Sequence, residues 1–201
     1  MRHFTFRRGL PLKYFTLTLL SAVLLSLSAC SKNDTPATPA VAGVSAQSLD
    51  KIAATGKGFT VGALMSAQTV YVLFDPQCPH CGHLWQASLP LHTQVKFVWL
   101  PVAFNTGKSL AQAAALITAT NPTEAMTAHE QSLLSGQGGM TASSSIPSDI
   151  EAAIKNNTAL LNSMGVDSVP FLIAKHRRSG QLVSHNGALD TMALSGLLGV
   201  N

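Results

Sequence analysis

The chain has 201 residues, with 13 lysines and arginines against 9 aspartates and glutamates, and 46% of it is hydrophobic. That length suits one domain with a sizeable core. The basic excess excludes nothing by itself and points to no nucleic acid. Arg2, Arg7, Arg8 and Lys13 supply it from the first thirty residues, where no acidic residue stands, and no basic helix or aromatic-interleaved patch follows.

Residues 1–29 read as a targeting segment. The four basic residues precede an apolar stretch over 14–27, too short for a confident membrane span. It ends in Leu27-Ser28-Ala29-Cys30, which resembles the lipobox of bacterial lipoproteins, so Cys30 is expected to be acylated and to become the N-terminus. An ordinary signal peptide cut near Ala29 is the alternative. Arg7-Arg8 hints at twin-arginine export, but Gly9-Leu10-Pro11 fits that pattern poorly. Ser31 resembles the residues that permit transfer to the outer membrane. The expectation is a lipid-anchored periplasmic protein, at the outer membrane in preference to the inner, where disulfides persist. Residues 30–47, rich in Ala, Thr, Pro and Ser, read as a flexible tether. Residues 48–201 read as one domain.

Strand and helix signals follow in turn, with no internal repeat. A short helix is predicted over 48–54 and a short strand over 58–62. Residues 69–74 form a continuous apolar run, as a strand buried on both faces requires. A helix over 79–89 ends near Pro90, and the next strand spans 95–100. A helical block comes next. Residues 108–120 are alanine-rich, and Asn121-Pro122-Thr123-Glu124 is a capping box that opens a helix to residue 134. Residues 135–145 are a Gly/Ser-rich loop. Ser148-Asp149-Ile150-Glu151 reads as a second capping box, opening a helix to Met164 with Gly165 beyond its end. Strands over 171–175 and 181–185 and a helix over 189–198 close the chain. This order predicts an α/β sandwich around a mixed sheet, the thioredoxin order with a helical insertion before the last β-hairpin.

Cys78-Pro79-His80-Cys81 stands between the strand over 69–74 and the following helix. A C-x-x-C there reads as a thiol–disulfide redox site. The spacing brings both sulfurs to one helical turn. Pro79 suits the first helical position. Cys78 then sits at the helix N-terminus, where unpaired N–H groups and the macrodipole favour a thiolate, the nucleophile of disulfide exchange. A charged His80 would stabilise it further. Two other readings stay open. Half of a zinc site would need a second ligand pair, and His83, His92, His129, His176 and His185 show no paired spacing. A plain structural disulfide would seldom occupy a helix start after a buried strand. Val169-Pro170 opens the penultimate strand, where thioredoxin folds carry a cis-proline facing the C-x-x-C. The backbone of Val169 would then be available to an extended substrate. Asp75 is read as a turn residue beside Pro76 in preference to a proton acceptor for Cys81, and Trp85 as packing beneath the active-site helix. Met65, Met126, Met140, Met164 and Met192 read as core or surface fill, and His176-Arg177-Arg178 as a solvated hairpin turn.

The run Val72-Leu73-Phe74-Asp75-Pro76-Gln77-Cys78-Pro79-His80-Cys81, with Leu84-Trp85-Gln86 after it, resembles the catalytic domain of the periplasmic Dsb thiol:disulfide isomerases, the DsbG and DsbC kind. Leu161-Asn162-Ser163-Met164-Gly165, Ser168-Val169-Pro170 and Asn186-Gly187-Ala188-Leu189 extend the resemblance over residues 48–199. It implies a thiol:disulfide interchange enzyme in which Cys78 attacks, Cys81 resolves, and Val169 and Pro170 bind substrate. The implied partners are exported proteins with cysteines or disulfides and a membrane redox protein of the DsbD or DsbB kind. No cofactor, metal or nucleic acid is expected. The chain departs from those isomerases in three ways. It has only a short segment where they carry a dimerisation domain, so a monomer is expected. His80 replaces their usual tyrosine, and Val169 their usual threonine. Both replacements resemble the oxidase DsbA, which makes a dithiol oxidase the alternative. A lipid-anchored copper(I) metallochaperone using both thiolates is a reading of another class, disfavoured by the lack of a nearby methionine or histidine cluster.

Overall fold

Val70, Val72 and Phe74 pack against one side of the central sheet and Leu73 against the other, and all four are buried. They belong to β2 (Thr69–Phe74), whose continuous apolar run follows from burial on both faces. β2 runs parallel to β3 (Lys96–Pro101) and antiparallel to β4 (Phe171–Lys175). β1 (Phe59–Gly62) flanks β3 and β5 (Leu182–Asn186) flanks β4, both antiparallel, so the sheet order is β1-β3-β2-β4-β5. The computed structural model describes residues 43–105 and 107–200. The targeting segment 1–29, Cys30 and the expected tether up to residue 42 lie outside the described residues.

Among the described residues six α-helices cover the sheet: α1 (Ala46–Thr55), α2 (Pro79–Ser88), α3 (Ser109–Ile117), α4 (Pro122–Leu134), α5 (Ser148–Ser163) and α6 (Thr191–Leu198). Leu84 and Trp85 of α2, Leu116 of α3, Met126 of α4 and Leu194 of α6 join the core on the Phe74 side. Leu49 and Ile52 of α1 and Leu160 and Leu161 of α5 join it on the Leu73 side. This is the expected thioredoxin fold. The helices α3 to α5 form the insertion between β3 and the β4–β5 hairpin. Asn157 ties the insertion to the sheet. Its side-chain amide donates to the carbonyls of Lys57 and Pro101 at 2.6 and 2.9 Å, and its oxygen accepts from Lys57 N–H at 3.0 Å.

Helix starts differ from expectation at α1, α5 and α6. α1 begins two residues before the predicted start, because Ser45 caps it and forms a reciprocal box with Ser48. The last residues of the supposed tether are therefore cap and helix. At α5 the predicted box does not form. Pro147 holds the cap position with an extended ψ of 137°, and Ser148 is already helical. Asp149 and Glu151 then face the positive end of the dipole, and Glu151 pairs with Lys155 at 2.7 Å. At α4 the expected cap is present: Asn121 accepts from Glu124 N–H at 3.3 Å and its amide returns a bond to the Glu124 carboxylate. The final helix starts at Thr191, capped by Asp190.

Candidate active site

The turn between β2 and α2 is locked by one buried carboxylate. Asp75 Oδ1 accepts from Gln77 N–H and Ser109 Oγ–H, and Oδ2 accepts from Phe104 and Asn105 N–H, each at 2.7 Å. Asp75 thus fills the turn role expected of it and also draws the loop after β3 and the start of α3 to the same point. The insertion adds a second clasp. His129 Nδ1 accepts from Met140 N–H at 3.1 Å, so its Nε2–H donates to the Pro76 carbonyl at 2.7 Å. Burial lowers the pKa of His129, partly offset by that carbonyl and by Asp75, which agrees with a neutral ring. Gln77 reaches Gln112 of α3 and the Gly138 carbonyl, and Gln112 also donates to the Met140 carbonyl at 2.7 Å. The Gly/Ser-rich loop is a brace for the active-site turn.

Cys78 is the N-cap residue of α2, extended at φ −99° and ψ 111°, with Pro79 in the first turn. No side-chain cap bond is made, so the sulfur stands where a cap acceptor would. Cys78 and Cys81 are free thiols, the first half-buried and the second fully buried. Their environments push them apart. The Cys81 S–H bonded to it lowers Cys78 to about 6, against the cost of burial, helped by the backbone N–H groups of Cys81 and His80 and by the charge of His80. Burial raises Cys81 well above an ordinary thiol, and the neighbouring Cys78 and Glu130 raise it further.

Opposite the sulfurs, the Val169–Pro170 peptide is cis, and as a thiol Cys78 lies 3.5 Å from the Val169 carbonyl. Gly187 N–H donates to the Pro170 carbonyl at 2.8 Å and Asn186 to Ser168 Oγ at 2.7 Å, which fasten this loop to the end of β5. A groove of about 450 Å³ runs beside it, lined by His80, Ser168, Val169, Asn186, Gly187 and Ala188. Cys78, Pro79, His80, Cys81, Val169 and Pro170 are therefore brought together. Trp85 packs below, edge-on to Trp99 and His92, with its N–H donating to Thr127 at 3.2 Å. Sequence reasoning missed His129 and Glu130. Their spacing from Met126 held the signal, because positions i, i+3 and i+4 share one helix face and Met126 is buried.

No model of a known protein family matches the chain. It is 26% identical over 141 residues to the thiol:disulfide interchange protein DsbG of Pseudomonas aeruginosa, a match covering 69% of this chain and 54% of that protein. The chain thus spans about half the length of that relative. Among solved structures it is similar to a periplasmic thioredoxin-like protein from Salmonella enterica serovar Typhimurium, with a TM-score of 0.60, 17% identity and coverage of 78% and 96% of the two chains. It is also similar to a linker-deletion mutant of Proteus mirabilis ScsC, at a TM-score of 0.58 and 16% identity over 76% and 80% of the chains. The thiol-disulfide exchange protein alpha-DsbA2 from Wolbachia pipientis matches at a TM-score of 0.55 and 22% identity, over 76% and 91%. Sheet order, paired cysteines and these likenesses agree on a thioredoxin fold, and in sequence the chain is similar to a thiol:disulfide interchange protein.

Proposed function

We propose that this protein is an oxidoreductase that exchanges disulfides with exported proteins in the periplasm. The observation that carries the reading is the asymmetry of the pair: Cys78 is accessible and lowered to about 6, whereas Cys81 is buried and raised. In the reducing direction the Cys78 thiolate attacks a substrate disulfide. One substrate sulfur leaves as thiolate and a mixed disulfide forms. Cys81 then attacks Cys78 Sγ, the Cys78–Cys81 bond forms, and the second substrate sulfur departs. Oxidation runs these steps backwards. The groove beside Val169 and Pro170 would take an extended substrate segment against the backbone.

The likeness to DsbG favours an isomerase or reductase role. A DsbA-like oxidase is the second reading, favoured by the Cys78 thiolate: stabilising the thiolate stabilises the dithiol form and makes the disulfide more oxidising. A lipid anchor on Cys30 and a membrane redox protein that resets the pair complete the proposal. Trapping tests the roles. Cys81→Ala should accumulate mixed disulfides on Cys78 that run as reducible adducts on gels, and Cys78→Ala should accumulate none. Equal trapping by both variants would refute the assignment.

A further inference from the structure

The end of the sheet remote from the sulfurs carries charge and exposed apolar surface that disulfide exchange does not use. Lys96 at the start of β3 registers with Gly62, the last residue of β1, and with Thr69, the first of β2. Lys175, the last residue of β4, registers with Leu182, the first of β5. Cys78 follows the opposite end of β2, about 20 Å away along its length. Three turns cap the remote end, 62–69, 91–96 and 175–182. They converge on one carbonyl: Gln94 accepts from Ser66 Oγ–H at 2.9 Å and from Arg177 Nη2 at 3.4 Å. Gly62, at φ 85°, turns the chain where a Cβ would strike the Val95 carbonyl. The turn then projects Leu64 and Met65 into solvent, 61% and 98% exposed. Beside them stand Lys96, Lys175, Arg177 and Arg178. The three turns hold half of the lysines and arginines among the described residues and none of the aspartates and glutamates. Among the described residues none of these four cations pairs with a carboxylate.

We propose that this end of the domain docks on an anionic lipid surface. Leu64 and Met65 enter the interface, and the lysines and arginines meet headgroup phosphates while their alkyl stems lie along the apolar boundary. The charge complementarity is one-sided, because the three turns contain no carboxylate side chain for the lipid to repel. Shape selects lipid over a protein partner. Protein interfaces centre on aromatic anchors held in pockets. The three turns contain no Phe, Tyr or Trp, and Leu64 and Met65 sit on a protruding tip, which a soft, planar surface accepts. Each cation close to an anionic surface adds about fivefold to the affinity. Two apolar side chains bury too little to hold the domain alone, so the contact is reversible and weakens as salt screens it. Docking sets an orientation: Cys78 and the groove beside Val169 face away from the membrane, towards proteins in the periplasm. The proposal rests on the membrane setting given above, and needs neither the exchange chemistry nor an acyl chain on Cys30.

Oxidation footprinting of the full chain reads this contact at one side chain. Vesicles of phosphatidylcholine alone are compared with vesicles of phosphatidylcholine and phosphatidylglycerol at low salt. Hydrogen peroxide is the oxidant, and methionine sulfoxide at residue 65 is the readout. Met192 is the internal reference. It is 83% exposed at the start of α6, whose far end reaches the docking face, where the Leu198 carbonyl accepts from Arg177 N–H. Any hold of residues 14–27 or of a lipid on Cys30 is common to both vesicles, so a difference between them reports headgroup charge. On anionic vesicles oxidation of Met65 should slow by about tenfold relative to Met192, and high salt should abolish the protection. In Lys175→Gln with Arg178→Gln, two exposed cations whose side chains make no hydrogen bond, protection should need about 25-fold more anionic lipid. Equal oxidation of Met65 on the two kinds of vesicle would overturn the proposal, as would equal protection of Met65 and Met192 or protection unchanged by the double substitution. Exchange with glutathione disulfide should be unchanged in that variant, so a failure of docking and a failure of exchange are separate results.

Discussion

The thiolate of Cys78 is held mainly by its partner sulfur. The S–H of Cys81 is the largest stabilising influence, ahead of the helix N–H groups, and the charge of His80 is the smallest. The helix start and His80, the features visible in the motif, are therefore secondary to the second cysteine. Ultraviolet titration of thiolate absorbance in the reduced protein should give a midpoint near 6. A midpoint at or above about 8, close to a free cysteine, would refute this environment. Cys81→Ala should raise the midpoint further than His80→Tyr does, and the reverse order would mean that the imidazolium is the dominant influence.

At the level of elements, the packing of α2 on α4 controls the site. Gly82 sits inside α2, where alanine ordinarily stabilises a helix by up to about 1 kcal/mol. Here the sign should reverse. An added Cβ meets Glu130 Oε2 at 2.6 Å and the Leu134 side chain at 3.2 Å, so the helices must separate or the carboxyl must move. Gly82→Ala should cost about 1–3 kcal/mol in urea unfolding. Gly196 in α6 provides the internal control, because its Cβ would meet nothing within 4 Å. Gly196→Ala should stabilise by about 0.5–1 kcal/mol. Equal responses at the two glycines would mean that Gly82 is not confined by Glu130.

For the whole molecule, the same two groups set opposite pH dependences. Cys78 is lower in the folded state than in the unfolded chain, where a thiol titrates near 8.5. Between pH about 6 and about 8.5 the unfolded chain binds the extra proton, so this contribution grows as pH rises and is lost as pH falls through about 6. Glu130 is raised to about 9, above an unfolded value near 4.3. Its contribution is fully present below about 4 and is lost as pH rises towards 9. The two offset each other across neutral pH in the reduced protein. In reduced Glu130→Gln only the Cys78 contribution remains, so stability in urea should rise from pH 6 to pH 8.5 more steeply than in the wild type. Identical profiles for the two proteins would refute the raised carboxyl. His129, lowered by burial, adds a separate acid limit: the unfolded chain protonates first as pH drops below about 6.5, and stability falls with it.

The sequence by itself determined the order of elements and the pairing of the two cysteines on one helical turn. Local chemistry suffices for both. An apolar run at 69–74 suits a buried strand, and a C-x-x-C with proline directly after its first cysteine suits a helix start. Val169-Pro170 was expected opposite the sulfurs because the element order resembles that of thioredoxin folds, which carry a cis-proline there. Helix starts at Ser45 and Pro147 were harder to read, because Ser, Ala and Pro are common to tethers, caps and first turns. Only the tertiary structure decided which polar residues of the insertion are buried beneath the site. His129, Glu130 and Gln112 look like ordinary helix-surface residues along the chain. They are enclosed because α3, α4 and the loop 135–145 fold back over the turn at Asp75, bringing together residues more than 25 positions apart. Burial and charge proximity are properties of that packing, so the lowered Cys78 and the raised Cys81 and Glu130 exist only once it has formed.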